Sequence, residues 1–323
     1  MPTLRKTLVV AIMLACAAGT AAAQTYPTKP VRIVVPFTPG GGVDATARVL
    51  AQRYTDLWGQ NVVPDNRPGA GANLGTEIVA RAAPDGYTLL VTNNAIAISA
   101  GLYEKLGYNA LRDLRPMSEV LRTPFVLVVA ASSPARSVAD LVKMAKAKPG
   151  EMTVANTGIG SGPHLAAVLL GNMTQTTWNH IPYKGGGPAM QDLAAGRVQA
   201  LLTTPLAAMP HVQAGRLRAL AVSSGARWPS LGELPTIAES GVKGYAVTTW
   251  YMLLAPAKTP AAIVAKLEAD TKKAIDHPLA QKVLGGEGGE LVGGNSTAAT
   301  DLLKRETALW TQVIKDAGIK PTD

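Results

Sequence analysis

At 323 residues the chain has room for two domains of ordinary size. Apolar residues make up 47% and charged residues 16%, which excludes a disordered chain and provides for a substantial core. The formal net charge of +9 comes without basic runs, so nucleic acid is not an expected partner and a diffuse attraction for anions is the milder reading.

Residues 1–23 read as an export leader. Arg5 and Lys6 form a basic head, residues 8–18 an apolar stretch too short for a bilayer, and Ala21-Ala22-Ala23 a small-residue cleavage site. A retained helical anchor, or lipidation at Cys16, are alternative readings of the same segment. Without the leader the chain has no cysteine, which excludes disulfides and thiolate chemistry, and its charge falls by two, to +7.

The apolar β-formers at 31–35 predict a strand, and a helical pattern follows over about 45–57. Between them lies Pro36-Phe37-Thr38-Pro39-Gly40-Gly41-Gly42-Val43-Asp44. A strand, a glycine-rich turn and a helix aim unpaired backbone N–H groups, with the positive end of the helix dipole, at whatever sits above the turn. An anion is the natural occupant. A strand at 61–64, a helix at 74–82 and a strand at 88–92 continue an alternation that implies parallel pairing, with ligands at the carboxyl ends of the strands. Asn94 lies at such an end.

A long strand over 122–131 is expected to leave this sheet. A second alternation then runs through a helix at 138–147, a strand at 152–155, a loop at 156–163 and a helix at 164–172. The glycine turn recurs as Pro182-Tyr183-Lys184-Gly185-Gly186-Gly187, between a strand at 176–181 and a helix at 188–195. Strands at 198–202 and 217–222 complete this half. The apolar strand at 248–254 returns the chain, and helices at 260–276 and 297–317 finish it. The expected domains are therefore 24–124 with 249–323, and 125–248 as an insert. Two anion-ready turns in two halves suggest a cleft that grips a carboxylate at one or both ends.

The loop Asn156-Thr157-Gly158-Ile159-Gly160-Ser161-Gly162-Pro163-His164 fits neither a dinucleotide fingerprint nor a nucleophile elbow. Thr157, Gly158, Gly160 and Ser161 are candidate ligand contacts, and Ser161 is equally a helix cap. His164 is an anion contact or a packing residue; no histidine pair has metal-binding spacing. Asp44 is a site residue or a first-turn acid meeting its own helix dipole. Lys184 is a ligand partner or a solvated turn residue. Phe37, Tyr183 and Trp250 are candidate apolar walls, with hinge core as the alternative for Trp250. No catalytic constellation, metal site or cofactor motif is present, so the expectation is a receptor without cofactor and not an enzyme.

Tyr26-Pro-x-Lys-Pro30, the Pro36–Gly41 segment, Asn66-Arg67-Pro68-Gly69-Ala70-Gly71 and Asp85-Gly86-Tyr87-Thr88-Leu89 resemble the Bug family. So do Tyr183–Gly187, Asp192-Leu193 with Gly196, and Leu217-Arg218-Ala219-Leu220-Ala221-Val222. These are extracytoplasmic solute receptors of tripartite tricarboxylate transporters. The resemblance implies an α/β, class II periplasmic-binding-protein fold: two lobes joined by two crossing strands, with the ligand cleft between them. It places Phe37, Thr38, Pro39, Gly40, Gly41 and Gly42 at one end of the ligand with Asp44 close by, and Tyr183, Lys184, Gly185, Gly186 and Gly187 at the other. The 157–164 loop and Asn94 complete the set. Where many members carry a cleft aspartate, this chain has Thr203-Thr204-Pro205, which leans towards an uncharged ligand body bearing carboxylates. The implied protein is a periplasmic monomer that serves membrane permease subunits or, alternatively, a sensor protein.

Overall fold

The computed structural model describes residues 26–183, 186–286 and 288–319. The expected leader with Cys16, and Lys184 and Gly185, lie outside the described residues. In chain order come strand β1 (Val31–Val35), helix α1 (Gly42–Trp58), β2 (Val62–Asn66), α2 (Asn73–Ala80), β3 (Thr88–Asn93), α3 (Ala95–Leu102), α4 (Ala110–Asp113) and β4 (Leu114–Pro124). Next are β5 (Val126–Ala130), α5 (Val138–Ala147), β6 (Met152–Asn156), α6 (Gly162–Thr174), β7 (Trp178–Pro182), α7 (Gly186–Ala194), β8 (Ala200–Thr203), α8 (Pro205–Gln213) and β9 (Leu217–Val222). The chain closes with β10 (Thr248–Pro256), α9 (Ala261–Asp276), β11 (Glu290–Leu291) and α10 (Ser296–Asp316).

Two mixed sheets build two lobes. The first has the order β11-β4-β10-β3-β1-β2, the second β7-β6-β8-β5-β9. In the first, β1 pairs in parallel with β2 and β3, as the strand–helix alternation requires. In the second, β6 lies parallel to β7 and β8. Strand β1 is buried on both faces, the usual state of an interior parallel strand. Ile33 and Val35 point to the layer of α1, and Val34 points to the opposite core.

The lobes are joined where β4 and β10 run side by side, Thr248 opposite Pro124. The single strand expected over 122–131 is in fact two. Pro124 has no N–H for the ladder, so pairing in the first sheet ends there. Phe125 then turns into the second lobe, where its N–H donates to Ser223 Oγ at 2.7 Å and its carbonyl accepts the Ser223 N–H at 2.8 Å. Residues 114–121, which carry no strand in the sequence reading, form most of β4 because Arg115, Pro116, Ser118 and Glu119 mask its alternation.

Candidate functional site

Strands β1 and β3 of one lobe and β6 and β8 of the other end at a common cavity of about 530 Å3. Five helices begin there: α1 and α3 from the first lobe, α6, α7 and α8 from the second. Gly42, Ala95, Gly162 and Gly186, the first residues of four of them, line the cavity, as does Thr204, which caps the fifth. The first N–H groups of a helix have no intrahelical acceptor, and each start carries about half a positive charge. Among the described residues none that lines the cavity is formally charged. These residues offer an anion backbone and amide dipoles.

The first glycine turn is braced from behind. Gly40 adopts φ +91°, a left-handed value that favours glycine. Its N–H donates to Asp44 Oδ2 at 3.0 Å. Asp44 is 3% exposed and also accepts Arg48 Nε at 2.8 Å and Asn66 Nδ2 at 2.9 Å. Asn66 Nδ2 reaches on to the Phe37 carbonyl at 3.0 Å. Burial pushes the Asp44 carboxyl up, but the hydrogen bonds from Arg48, Gly40 and Asn66 outweigh it and hold the group below the ordinary carboxylate value. Asp44 holds the turn and does not face the cavity. Helix α1 starts at Gly42, three residues earlier than the sequence pattern suggests, because Gly41 takes the cap position and its carbonyl accepts the Ala45 N–H.

Asn94 sits at the junction of the lobes and is 2% exposed. Its Oδ1 accepts the Thr249 hydroxyl at 3.2 Å, whereas its buried Nδ2 has no hydrogen-bond partner. A Cβ on Gly162 would stand 3.0 Å from that Nδ2 and 3.1 Å from Phe125 Cζ, so glycine is what fits there. An unpartnered buried amide N–H is costly, and gaining an acceptor there would be stabilising.

The third glycine loop leans on a histidine. Gly158 and Gly160 have φ of +129° and +75°. Asn156 Oδ1 accepts the Gly158 N–H, and His164 Nδ1 accepts the Gly160 N–H, each at 3.0 Å. Ser161 caps α6 by accepting the His164 N–H at 3.3 Å. His164 is buried and edge-on to His180, with ring centres 4.9 Å apart. Burial, with a smaller contribution from His180, lowers the His164 pKa to about 4, so the ring is neutral and free to accept.

Of the sequence candidates, Phe37, Thr38, Gly41, Gly42, Asn94, Thr157, Gly158, Gly160, Ser161, Gly186 and Thr203 line the cavity. Pro39, Gly40, Asp44, His164, Tyr183, Gly187 and Trp250 do not. Tyr183 donates its hydroxyl to Asp192 Oδ2 at 2.8 Å. Trp250 is 1% exposed, in the core that runs between the lobes. Side chains alternate along β10, so its neighbours Thr249 and Tyr251 face the cavity and Trp250 faces away. Ile98 and Leu102, one helical turn apart on α3, and Phe125 add apolar wall that the sequence reading did not single out. Among the described residues no cluster of three or more metal-ligating side chains occurs, and no helix is long and apolar enough to cross a membrane.

Comparison with known proteins gives a consistent family. The model of the tripartite tricarboxylate transporter family receptor matches residues 46–319. The chain is 35% identical over 316 residues to the protein BugT of Bordetella pertussis, covering 97% of each. Among solved structures it is similar to Rpa4515 of R. palustris, determined with adipate, at TM-score 0.83 and 37% identity, covering 92% of this chain and all of that one. It is also similar to MatC from Rhodopseudomonas palustris with bound malate, at TM-score 0.78 and 29% identity, covering 90% of this chain and all of that one.

Proposed function

The chain belongs to the tripartite tricarboxylate transporter receptor family, one of periplasmic solute-binding receptors, and from that premise we propose that it captures a small dicarboxylate with an apolar body. The observation that carries this reading is the convergence of five helix starts on one cavity whose described lining carries no formal charge. Each helix start favours an anion by roughly 0.3–1 kcal/mol, and each hydrogen bond to a charged group adds about 1.5–3 kcal/mol. Two or three such bonds at each end of a dicarboxylate suffice for micromolar capture after the entropic cost of association. The walls between the polar ends, with Ile98, Leu102 and Phe125, suit a hydrocarbon middle.

In this reading the lobes are 24–124 with 249–323, and 125–248, and they hinge where Pro124 and Thr248 cross. Ligand bridging shifts the molecule from an open to a closed population. The closed form presents the acid to the membrane permease of a tripartite tricarboxylate transporter. Export by the leader at 1–23 puts the receptor in the periplasm.

A thermal-shift screen against mono-, di-, tri- and aromatic carboxylates tests the proposal. A ligand at 100 times its dissociation constant adds about 2.7 kcal/mol of stability. Stabilisation by dicarboxylates supports the reading; a flat response to every carboxylate overturns it.

A further inference from the structure

The main cavity has an annexe. A pocket of about 80 Å3 adjoins it, sharing Gly42, Thr204 and Tyr251 with its wall and lined otherwise by Leu121, Thr123, Leu206, Leu284 and Gly289. The Tyr251 ring stands between the two spaces, packed on the first turn of α1. A Cβ on Gly42 would lie 2.6 Å from its hydroxyl oxygen and 3.1 Å from Cζ, so glycine at that position is what lets the ring stand there.

Three leucines, Leu121, Leu206 and Leu284, give the annexe its apolar wall, beside Thr123, Thr204, Tyr251 and two glycines. Leu121 and Leu284 are buried, Leu206 is half exposed at the edge, and among the described residues none that lines the annexe is charged. The Thr123 hydroxyl is already engaged by the Gly288 carbonyl at 3.3 Å and the Pro124 carbonyl at 3.4 Å. The helix that begins beside the annexe, α8, starts with Pro205, which has no N–H to offer. Size narrows the occupant further. Liquid water takes about 30 Å3 per molecule and a cavity that holds benzene has about 150 Å3, so 80 Å3 admits two or three heavy atoms and no ring.

We propose that this annexe is an accessory subsite for a short alkyl branch on the ligand's carbon chain, with Tyr251 as the wall that steers the branch into it. The inference rests on the dicarboxylate reading above and narrows it to acids branched near the carboxylate held by the first glycine turn. Each carbon moved from water into such a pocket gains about three- to fourfold in affinity.

Calorimetry with adipate and 3-methyladipate on the mature protein tests the subsite. The wild type is expected to bind the methyl acid about three- to fourfold more tightly. Leu206→Phe and Leu206→Trp, which narrow the annexe to different degrees, should weaken the methyl acid about tenfold or more and leave adipate within about twofold. A crystal structure with 3-methyladipate should seat the branch among Leu121, Leu206 and Leu284. Adipate binding with rejection of the methyl acid, an affinity ratio unmoved by both variants, or a branch seated elsewhere overturns the subsite alone. No binding of either acid, nor of any carboxylate in the screen, overturns the dicarboxylate reading and the subsite together.

Discussion

Asp44 Oδ2 accepts the Gly40 N–H at 3.0 Å, and through that bond a buried acid fixes the glycine turn that leads into the cavity wall at Gly41 and Gly42. The arrangement explains why an anion receptor tolerates a carboxylate one helical turn from its anion site. Arg48 and Asn66 share the charge, and the side chain points away from the cavity. Asp44→Ala should cost about 1–3 kcal/mol, because it orphans the Gly40 N–H and one of the two N–H bonds of Asn66. Ligand affinity should fall by about tenfold as the turn loosens. Because the folded pKa lies below the ordinary carboxylate value, this contribution is present above about pH 4 and fades as pH drops through the folded value. Urea titrations at pH 7 and at progressively lower pH should show an acid-dependent loss in the wild type that is smaller in Asp44→Asn. Equal acid dependence in the two proteins would remove Asp44 from this role.

Gly41 and Gly186 offer a clean separation of binding from folding. A Cβ at either position meets nothing within 4 Å, and Gly41 has an extended backbone that any residue adopts. Gly186→Val should therefore change stability by no more than about 0.5 kcal/mol, and Gly41→Val, which puts valine at a helix cap, by about 1 kcal/mol. If the ligand approaches these backbones, the same variants lose affinity by about tenfold or more. Gly42→Ala behaves differently, since its Cβ collides with Tyr251, and both stability and affinity should suffer. Thermal melts with calorimetry distinguish the cases; unchanged affinity in both valine variants would remove the two turns from the site.

Much of this was legible in the sequence for a physical reason. Helix and strand alternation, and glycine runs where a strand meets a helix, are local signals, and they placed Gly41, Gly42, Asn94, Ser161 and Gly186 on the cavity wall. What escaped was decided by register and long-range packing. Trp250 stood out as the large aromatic on a crossing strand, yet a period of two sends Thr249 and Tyr251 to the cavity and Trp250 to the core. Asp44 and His164 are close to the site in sequence, but they act by bracing its loops from behind. The break at Pro124 turns one expected strand into a hinge, and the masked alternation of residues 114–121 hid the strand that leads to it.

Asn94 should be the most sensitive polar side chain in the cavity. Its free Nδ2 is a neutral donor in a place from which water is largely excluded. Asn94→Asp replaces that donor with a negative charge facing the ligand and should reduce dicarboxylate affinity by about a hundredfold at pH 7, equivalent to roughly 2.7 kcal/mol. Asn94→Leu removes the donor without adding charge and should cost less. Calorimetry at pH 7 ranks the two. Aspartate binding as well as asparagine would mean that the ligand does not touch this position.

His164 ties acid stability to the site loop. In the unfolded chain the ring takes up a proton near 6.5, whereas in the fold burial delays this to about 4. Between those values the unfolded state holds more protons, so stability falls as pH is lowered from 6.5 towards 4. The loss from this group is at most about 3 kcal/mol. His180, whose pKa burial also lowers, adds in the same direction. Protonation at Nδ1 would further deprive the Gly160 N–H of its acceptor and free the 158–161 loop that lines the cavity. Ligand affinity should therefore decline together with stability over this range. In His164→Gln, which keeps an acceptor but cannot titrate, both slopes should flatten. Denaturation midpoints and calorimetric affinities measured in half-unit steps from pH 7 to pH 4 decide the matter. Identical slopes in wild type and His164→Gln would assign the acid response to other groups.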